Sequence, residues 1–95
     1  MKFVVHCLDH KHAQPLRLEN YGAHKAYLEA GEVRTVISGP LLAPDGETMI
    51  GSLFVFEAGT LAEVTEFNAN DPFMRAGVWA EVKIHLFNMR IDNRF

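Results

Sequence analysis

An α+β, ferredoxin-like fold is predicted, with one antiparallel sheet carrying both helices on a single face. Two observations carry this. Apolar, β-branched segments and helix-favouring segments follow one another in the order β-α-β-β-α-β. A Pro-Asp-Gly turn joins the middle two strands with no room for a helix between them, which makes them an antiparallel hairpin. The 95 residues are read as one domain, 1–95.

Phe3 to Leu8 is short, apolar and bounded by polar residues, so it is read as a buried strand. The polar stretch Asp9 to Gln14 is a loop. Pro15 suits a first helical position, and residues up to Ala30 favour helix, with Gly31 as its C-terminal cap. Arg17, Tyr21, His24 and Leu28 are spaced four, three and four apart and therefore share one helix face.

Val33 to Leu42 is the second strand. Its Ser38-Gly39-Pro40 interruption predicts a bulge or an edge position, because proline cannot donate to a ladder. Pro44-Asp45-Gly46 is the turn, and Thr48 to Glu57 the third strand. Thr60 is placed to cap a second helix, Leu61 to Asn68, with Glu63 completing a capping box. Asp71-Pro72-Phe73 and a short turn to Gly77 follow. The last strand is read from Val78 to Ile91, where Val82, Ile84 and Leu86 alternate with Glu81, Lys83 and His85. With helices on one sheet face, the other must be covered or wet. Its apolar content predicts a symmetric homodimer with two sheets face to face.

Composition narrows function mainly by exclusion. A net charge of −3 and a pI near 5.9 lack the clustered Lys and Arg of a nucleic-acid footprint. The single cysteine, Cys7, cannot form an intramolecular disulfide and sits in an apolar run, so it is read as a core thiol. The apolar run at the N-terminus is too short for a signal peptide, and no run reaches membrane-spanning length. A cytoplasmic, membrane-free protein is expected. There is no phosphate loop, nucleotide fingerprint or Cys/His zinc pattern. His10-Lys11-His12 lacks further ligands at metal spacing. No cofactor and no metal are expected. His6, on the first strand, is read as a core or interface imidazole.

The chemistry-bearing pair is His24 and Asp71. A carboxylate bound to one ring nitrogen fixes the tautomer and aims the imidazole for proton transfer. The two residues are remote in sequence, so only a fold that returns the second helical region to the first unites them. Locally, His24 also reads as a plain helix histidine, and Asp71 before Pro72 as an N-cap. Arg17, on the same helix face, is a candidate to hold an anionic or enolate oxygen, and alternatively a solvated helix residue. Ser38 is a candidate hydrogen-bond donor to a ligand, and alternatively a structural bulge residue.

Taken together, these segments resemble the YciI-like, or YCII-related, family. The matching residues are Arg17, His24, Leu28 and Gly31, then Ser38-Gly39-Pro40-Leu41, Gly51-Ser52-Leu53, Ala62, Asp71-Pro72-Phe73 and Gly77-Val78. The resemblance implies a dimeric α/β barrel with an active site on a His–Asp pair, which falls on His24 and Asp71. Among such proteins, the defined activity is removal of HCl from a chlorinated hydroxyhydroquinone, and related barrels include isomerases and cofactor-free monooxygenases. The expected function is therefore proton transfer on a small cyclic phenol, quinol or enone, giving an eliminated halide or a shifted double bond. The alternative is a non-catalytic metabolite-binding or accessory module. Asn88 to Phe95 extends beyond the resemblance, as a cap for a pocket or a partner contact.

Overall fold

The computed structural model describes residues 1–94. Strand β1 (Lys2–Asp9) is followed by helix α1 (Gln14–Glu29) and the strands β2 (Arg34–Leu42) and β3 (Met49–Glu57). Then come helix α2 (Leu61–Ala69), the one-turn helix α3 (Pro72–Arg75) and strand β4 (Trp79–Phe87). The sheet order is β2-β3-β1-β4 and every pairing is antiparallel. This is the ferredoxin-like architecture that the order of segments predicts.

Register assigns the two sheet faces. Cys7 lies opposite Ser52 and Val82, Val5 opposite Phe54 and Ile84, and Phe3 opposite Phe56 and Leu86. These residues share one face, because side chains directly opposite on paired strands point the same way. Phe3, Val5, Cys7, Phe54 and Phe56 are buried there against Val64 and Phe67 of α2 and Phe73 of α3, with Tyr27 and Leu28 of α1 packed alongside. Each fully buried aromatic or aliphatic side chain contributes about 1.5–3 kcal/mol of transfer free energy. Cys7 belongs to this core, and burial pushes its thiol up to about 12, so it holds no nucleophilic thiolate at neutral pH. His6 falls on the opposite face and is exposed, not a core imidazole.

Local chemistry sets the connections. Gly46 takes φ 73° and donates its N–H to the Ala43 carbonyl at 2.9 Å, while the Asp45 carboxylate accepts from Glu47 N, Thr48 N and Thr48 Oγ1. Those bonds hold Asp45 below the usual carboxylate range. Thr60 caps α2 by accepting from Glu63 N at 3.2 Å, and no reciprocal bond from the Glu63 side chain is formed among the described residues. Asp71 caps α3 in the same way, so the stretch read as a short turn is a helical turn.

Most element ends differ from the sequence reading by one residue, and one strand end and one register detail differ more. The last strand stops at Phe87, where its ladder with β1 ends at the pair Lys2–Phe87, while Met1 bonds to Ala58 instead. On β2 the irregularities fall at Thr35/Ile37 and Leu41/Leu42, not at Ser38-Gly39-Pro40. Pro40 is tolerated there because β2 is an edge strand. Residues 88–94 form neither helix nor strand, and the Arg94 guanidinium reaches the Val36 carbonyl of β2 at 3.3 Å. Phe95 lies outside the described residues. No helix among them is long and apolar enough to cross a membrane.

Gly51 lies on β3 opposite Leu8 of β1, and a Cβ there would run into the Cys7 carbonyl oxygen. Since that neighbour is backbone, the strands must separate to admit it. Gly51→Ala is expected to cost about 1–3 kcal/mol, read as a lower midpoint in thermal unfolding.

Candidate active site

α1 delivers the site. His24 and Arg17 are the buried residues of this helix, seven residues apart on its inner face. α3 supplies the other half: Asp71 is its N-cap and Phe73 its buried residue. Asp71 and His24, 47 positions apart, meet with Nδ1 at 2.8 Å from Oδ1 and 2.9 Å from Oδ2. Oδ1 also accepts the Phe73 backbone N–H at 2.8 Å. Capping and histidine binding are therefore simultaneous, and one oxygen takes part in both. Both side chains are nearly closed to solvent, at 9% and 3% exposure.

This arrangement decides the tautomer. An ionised carboxylate only accepts, so the nitrogen facing it must donate. Neutral His24 then carries its proton on Nδ1 and keeps a basic lone pair on Nε2, which no hydrogen bond occupies among the described residues. The ring is fixed by packing as well. It stacks on Phe73 at 3.9 Å between centroids and 6° between planes, and meets Phe54 and Trp79 edge-on.

Arg17 is buried and paired, not a solvated helix residue. Its Nε and Nη2 donate to the Asp9 carboxylate at 2.5 and 3.0 Å, and Nη2 also donates to Ser52 Oγ at 2.6 Å. Both ion-pair side chains are 4% exposed, and the guanidinium carbon lies 5.1 Å from the Phe73 ring centroid. The charge of Arg17 is thus balanced, while Nη1 remains without a hydrogen bond among the described residues. Removing one member of such a buried pair leaves the other charged and unmatched. Arg17→Met is expected to cost about 3–5 kcal/mol, and the double change Arg17→Met with Asp9→Leu to recover most of it, measured by denaturant unfolding.

A cavity of about 780 Å³ opens beside these groups, between α1 and the β2–β3 part of the sheet. Arg17, His24, Ser38 and Phe73 all line it. Ser38 is exposed on its wall, on the helix-bearing face opposite Phe54. Tyr21, also on the predicted helix stripe, is 56% exposed and lines the cavity too. No residue from 88 to 94 lines it, so the C-terminal segment does not cap this pocket. Among the described residues there is no cluster of His, Cys, Asp and Glu able to hold a metal ion, which includes His10 and His12.

Two participants escape a reading of the sequence alone. Asp9 reads there only as the polar end of an apolar run, and Ser52 only as part of a short motif. The available signal is Arg17 itself, since a guanidinium on an inward helix face requires a buried carboxylate. Phe73 is legible as a core aromatic, but its stacking on His24 depends on where α3 docks.

The comparisons with known proteins agree with this architecture. The family described as "YCII-related domain" matches residues 1–88. The solved structure of 5-chloro-2-hydroxyhydroquinone dehydrochlorinase (TftG) from Burkholderia phenoliruptrix AC1100, in complex with 2,5-dihydroxybenzoquinone, is 33% identical with a TM-score of 0.82, over 93% of this chain and 94% of that one. At the level of fold alone, At3g17210 from Arabidopsis thaliana is similar at 13% identity and TM-score 0.52, over 96% of this chain and 97% of that one. A NIPSNAP domain protein from Burkholderia xenovorans is similar at 11% identity and TM-score 0.53, over 98% and 100%. No curated protein matches. With the sheet order, the motif residues and a family match over residues 1–88 all in agreement, the chain belongs to the YCII-related family.

Proposed function

We propose that this chain is a cofactor-independent enzyme that moves protons on a small phenolic or quinol ring, with His24 as the base and Asp71 as its orienting partner. Elimination of HCl from a chlorinated hydroxyhydroquinone is the reaction we assign to it. The carrying observation is the Nδ1 bond to Asp71, which leaves Nε2 of the cavity-lining His24 without a hydrogen-bond partner among the described residues. The 33% identity to TftG over nearly the whole chain supports the choice of reaction.

In this reading, Nε2 takes a proton from a ring hydroxyl and returns it to the chlorine-bearing carbon, which becomes tetrahedral. A second hydroxyl then loses its proton. Its electron pair becomes a carbonyl bond, the ring electrons shift, and chloride leaves from that carbon. The sum is a hydroxyquinone plus HCl. Two hydroxyls become carbonyls while C–Cl is replaced by C–H, so the redox change is internal and needs no external oxidant. Arg17, through Nη1, and Ser38, through its hydroxyl, are the donors assigned to the developing oxyanion. The paired state of Arg17 suits positioning, since a guanidinium held by Asp9 and Ser52 needs no reorganisation during reaction.

The active form we assign is a symmetric homodimer. The sheet face opposite the helices carries Val4, Ile37, Leu41, Leu53 and Val55 and has no helix over it. Sedimentation velocity reads this directly as a dimer mass. The decisive experiment for the function is incubation of the purified protein with 5-chloro-2-hydroxyhydroquinone under anaerobic conditions, following chloride release and quinone absorbance together. Equimolar chloride and hydroxyquinone are expected, and chloride release no faster than in buffer would overturn the assignment.

A further inference from the structure

The cavity-lining residues of α1 run from Arg17 to Glu29. At about 100° per residue they occupy one arc of the helix, from about −20° at His24 to about 120° at Glu29, counted from Arg17. Tyr21 falls at about 40°, near the middle of that arc. Arg17 and His24 stand at its buried margin. Along the axis Tyr21 lies between them, and helical side chains keep that order because all lean toward the N-terminal end. Tyr21 is 56% exposed, so its ring is free to settle against a guest.

The polar groups of this wall differ in what they already hold. Lys25 meets Glu29 at 3.8 Å, and Arg34 reaches Glu57 at 3.3 Å. Glu32, in no ion pair among the described residues, lies past the C-terminal end of α1, beside Gly31 and Val33, and these three also border a second cavity. Near the imidazole the situation is different. His24 Nε2, Arg17 Nη1 and the Tyr21 hydroxyl make no hydrogen bond among the described residues. They come from one helix stripe, at intervals of four and three residues, and Ser38 faces the same cavity from β2.

A hydroxyhydroquinone ring carries three oxygens. In the proposed reaction two of them become carbonyls, and His24, Arg17 and Ser38 attend to those two. The third is a spectator without a partner. The geometry points to Tyr21 as the residue that reads this third oxygen. Its phenol shares a hydrogen bond with the spectator hydroxyl, selects a triol ring over a diol, and fixes which ring carbon meets Nε2. No bond to Tyr21 forms or breaks during turnover, so it determines specificity. This rests on the proposed function in placing the reacting ring at His24.

Anaerobic calorimetric titration of the whole protein with hydroquinone and with hydroxyhydroquinone, which differ by that one hydroxyl, tests it. The wild-type protein is expected to bind the triol about three- to tenfold more tightly, the worth of one neutral hydrogen bond. Tyr21→Phe keeps the ring, removes the hydroxyl, and is expected to erase that difference. Comparing two ligands on one protein cancels any general effect of the substitution. On 5-chloro-2-hydroxyhydroquinone the same variant is expected to raise KM by a similar factor and to act on KM more than on kcat. A preference for the triol that survives in Tyr21→Phe would overturn the assignment of Tyr21, as would equal binding of the two ligands by the wild-type protein. Both results leave the ring site at His24 standing. If neither ligand binds, the ring site itself fails and Tyr21 loses its role with it.

Discussion

His24→Asn will lower the elimination rate by roughly 10²–10⁴-fold and leave the fold intact, which is the contribution expected of a positioned general base. Asparagine is the informative replacement. Its amide nitrogen can stand where Nδ1 stands and donate to Asp71, while nothing replaces Nε2. The buried carboxylate therefore keeps a partner, and the variant isolates the loss of the base. His24→Ala, by contrast, removes the ring stacked on Phe73 and leaves Asp71 buried without its donor. That variant combines a cavity penalty with an unmatched polar group and is expected to unfold at a distinctly lower temperature. Turnover measured by quinone absorbance, alongside thermal melts, separates the two effects. Undiminished turnover in a folded His24→Asn protein would remove His24 from the chemistry.

The same contrast explains what the sequence makes legible. The strand and helix order follows from periodicity and turn residues, which are local properties, and the sheet topology then follows from chain connectivity. The Pro44-Asp45-Gly46 turn and the Thr60 cap are determined within a few residues and are read correctly. The end of the last strand is not, because it depends on where its neighbour stops: residues 88–91 are polar and apolar in turn, like a strand, but the ladder with β1 ends at Lys2 and Met1 pairs with Ala58. Of the two readings of Ser38-Gly39-Pro40, a bulge or an edge, the fold shows the edge. Gly39-Pro40 looks like an interruption, yet an edge strand accommodates it, and the register slips instead at Thr35/Ile37.

The site divides along similar lines. The meeting of His24 and Asp71 is legible because each has a local signal, a stripe position and an Asp-Pro cap, and because the topology returns α3 to α1. The tie between Arg17 and Asp9 is invisible in spacing alone. Asp9 lies at the end of β1, eight residues before Arg17, across a loop whose path decides whether they meet. As a result Arg17 reads from sequence as an oxyanion donor or a solvated residue, while in the fold its charge is already balanced and only Nη1 is open.

Asp71 serves two tasks, and two substitutions will pull them apart. Asparagine caps helices as well as aspartate does, so Asp71→Asn keeps the bond from Phe73 N and is expected to melt near the wild-type temperature. Its amide nitrogen must then occupy the place of Oδ2, 2.9 Å from Nδ1, where it can only donate. Donation from that nitrogen favours an unprotonated Nδ1 with the proton of neutral His24 on Nε2, in competition with the Oδ1 carbonyl, which still lies 2.8 Å from Nδ1 and accepts from it, so the share of His24 with a basic Nε2 falls. A rate loss of roughly 10²–10⁴-fold is expected from this change of tautomer. Asp71→Ala removes both tasks. The lost cap costs about 0.5–2 kcal/mol, and the stranded Nδ1–H about 1–3 kcal/mol more. For a chain of this length that corresponds to a melting temperature lower by on the order of 10–20 °C. The order of the variants therefore differs by readout: asparagine groups with wild type in stability and with alanine in activity. An asparagine variant that melts near the wild-type temperature and also turns over normally would mean that Asp71 acts only as a cap, and that His24 chooses its tautomer without it.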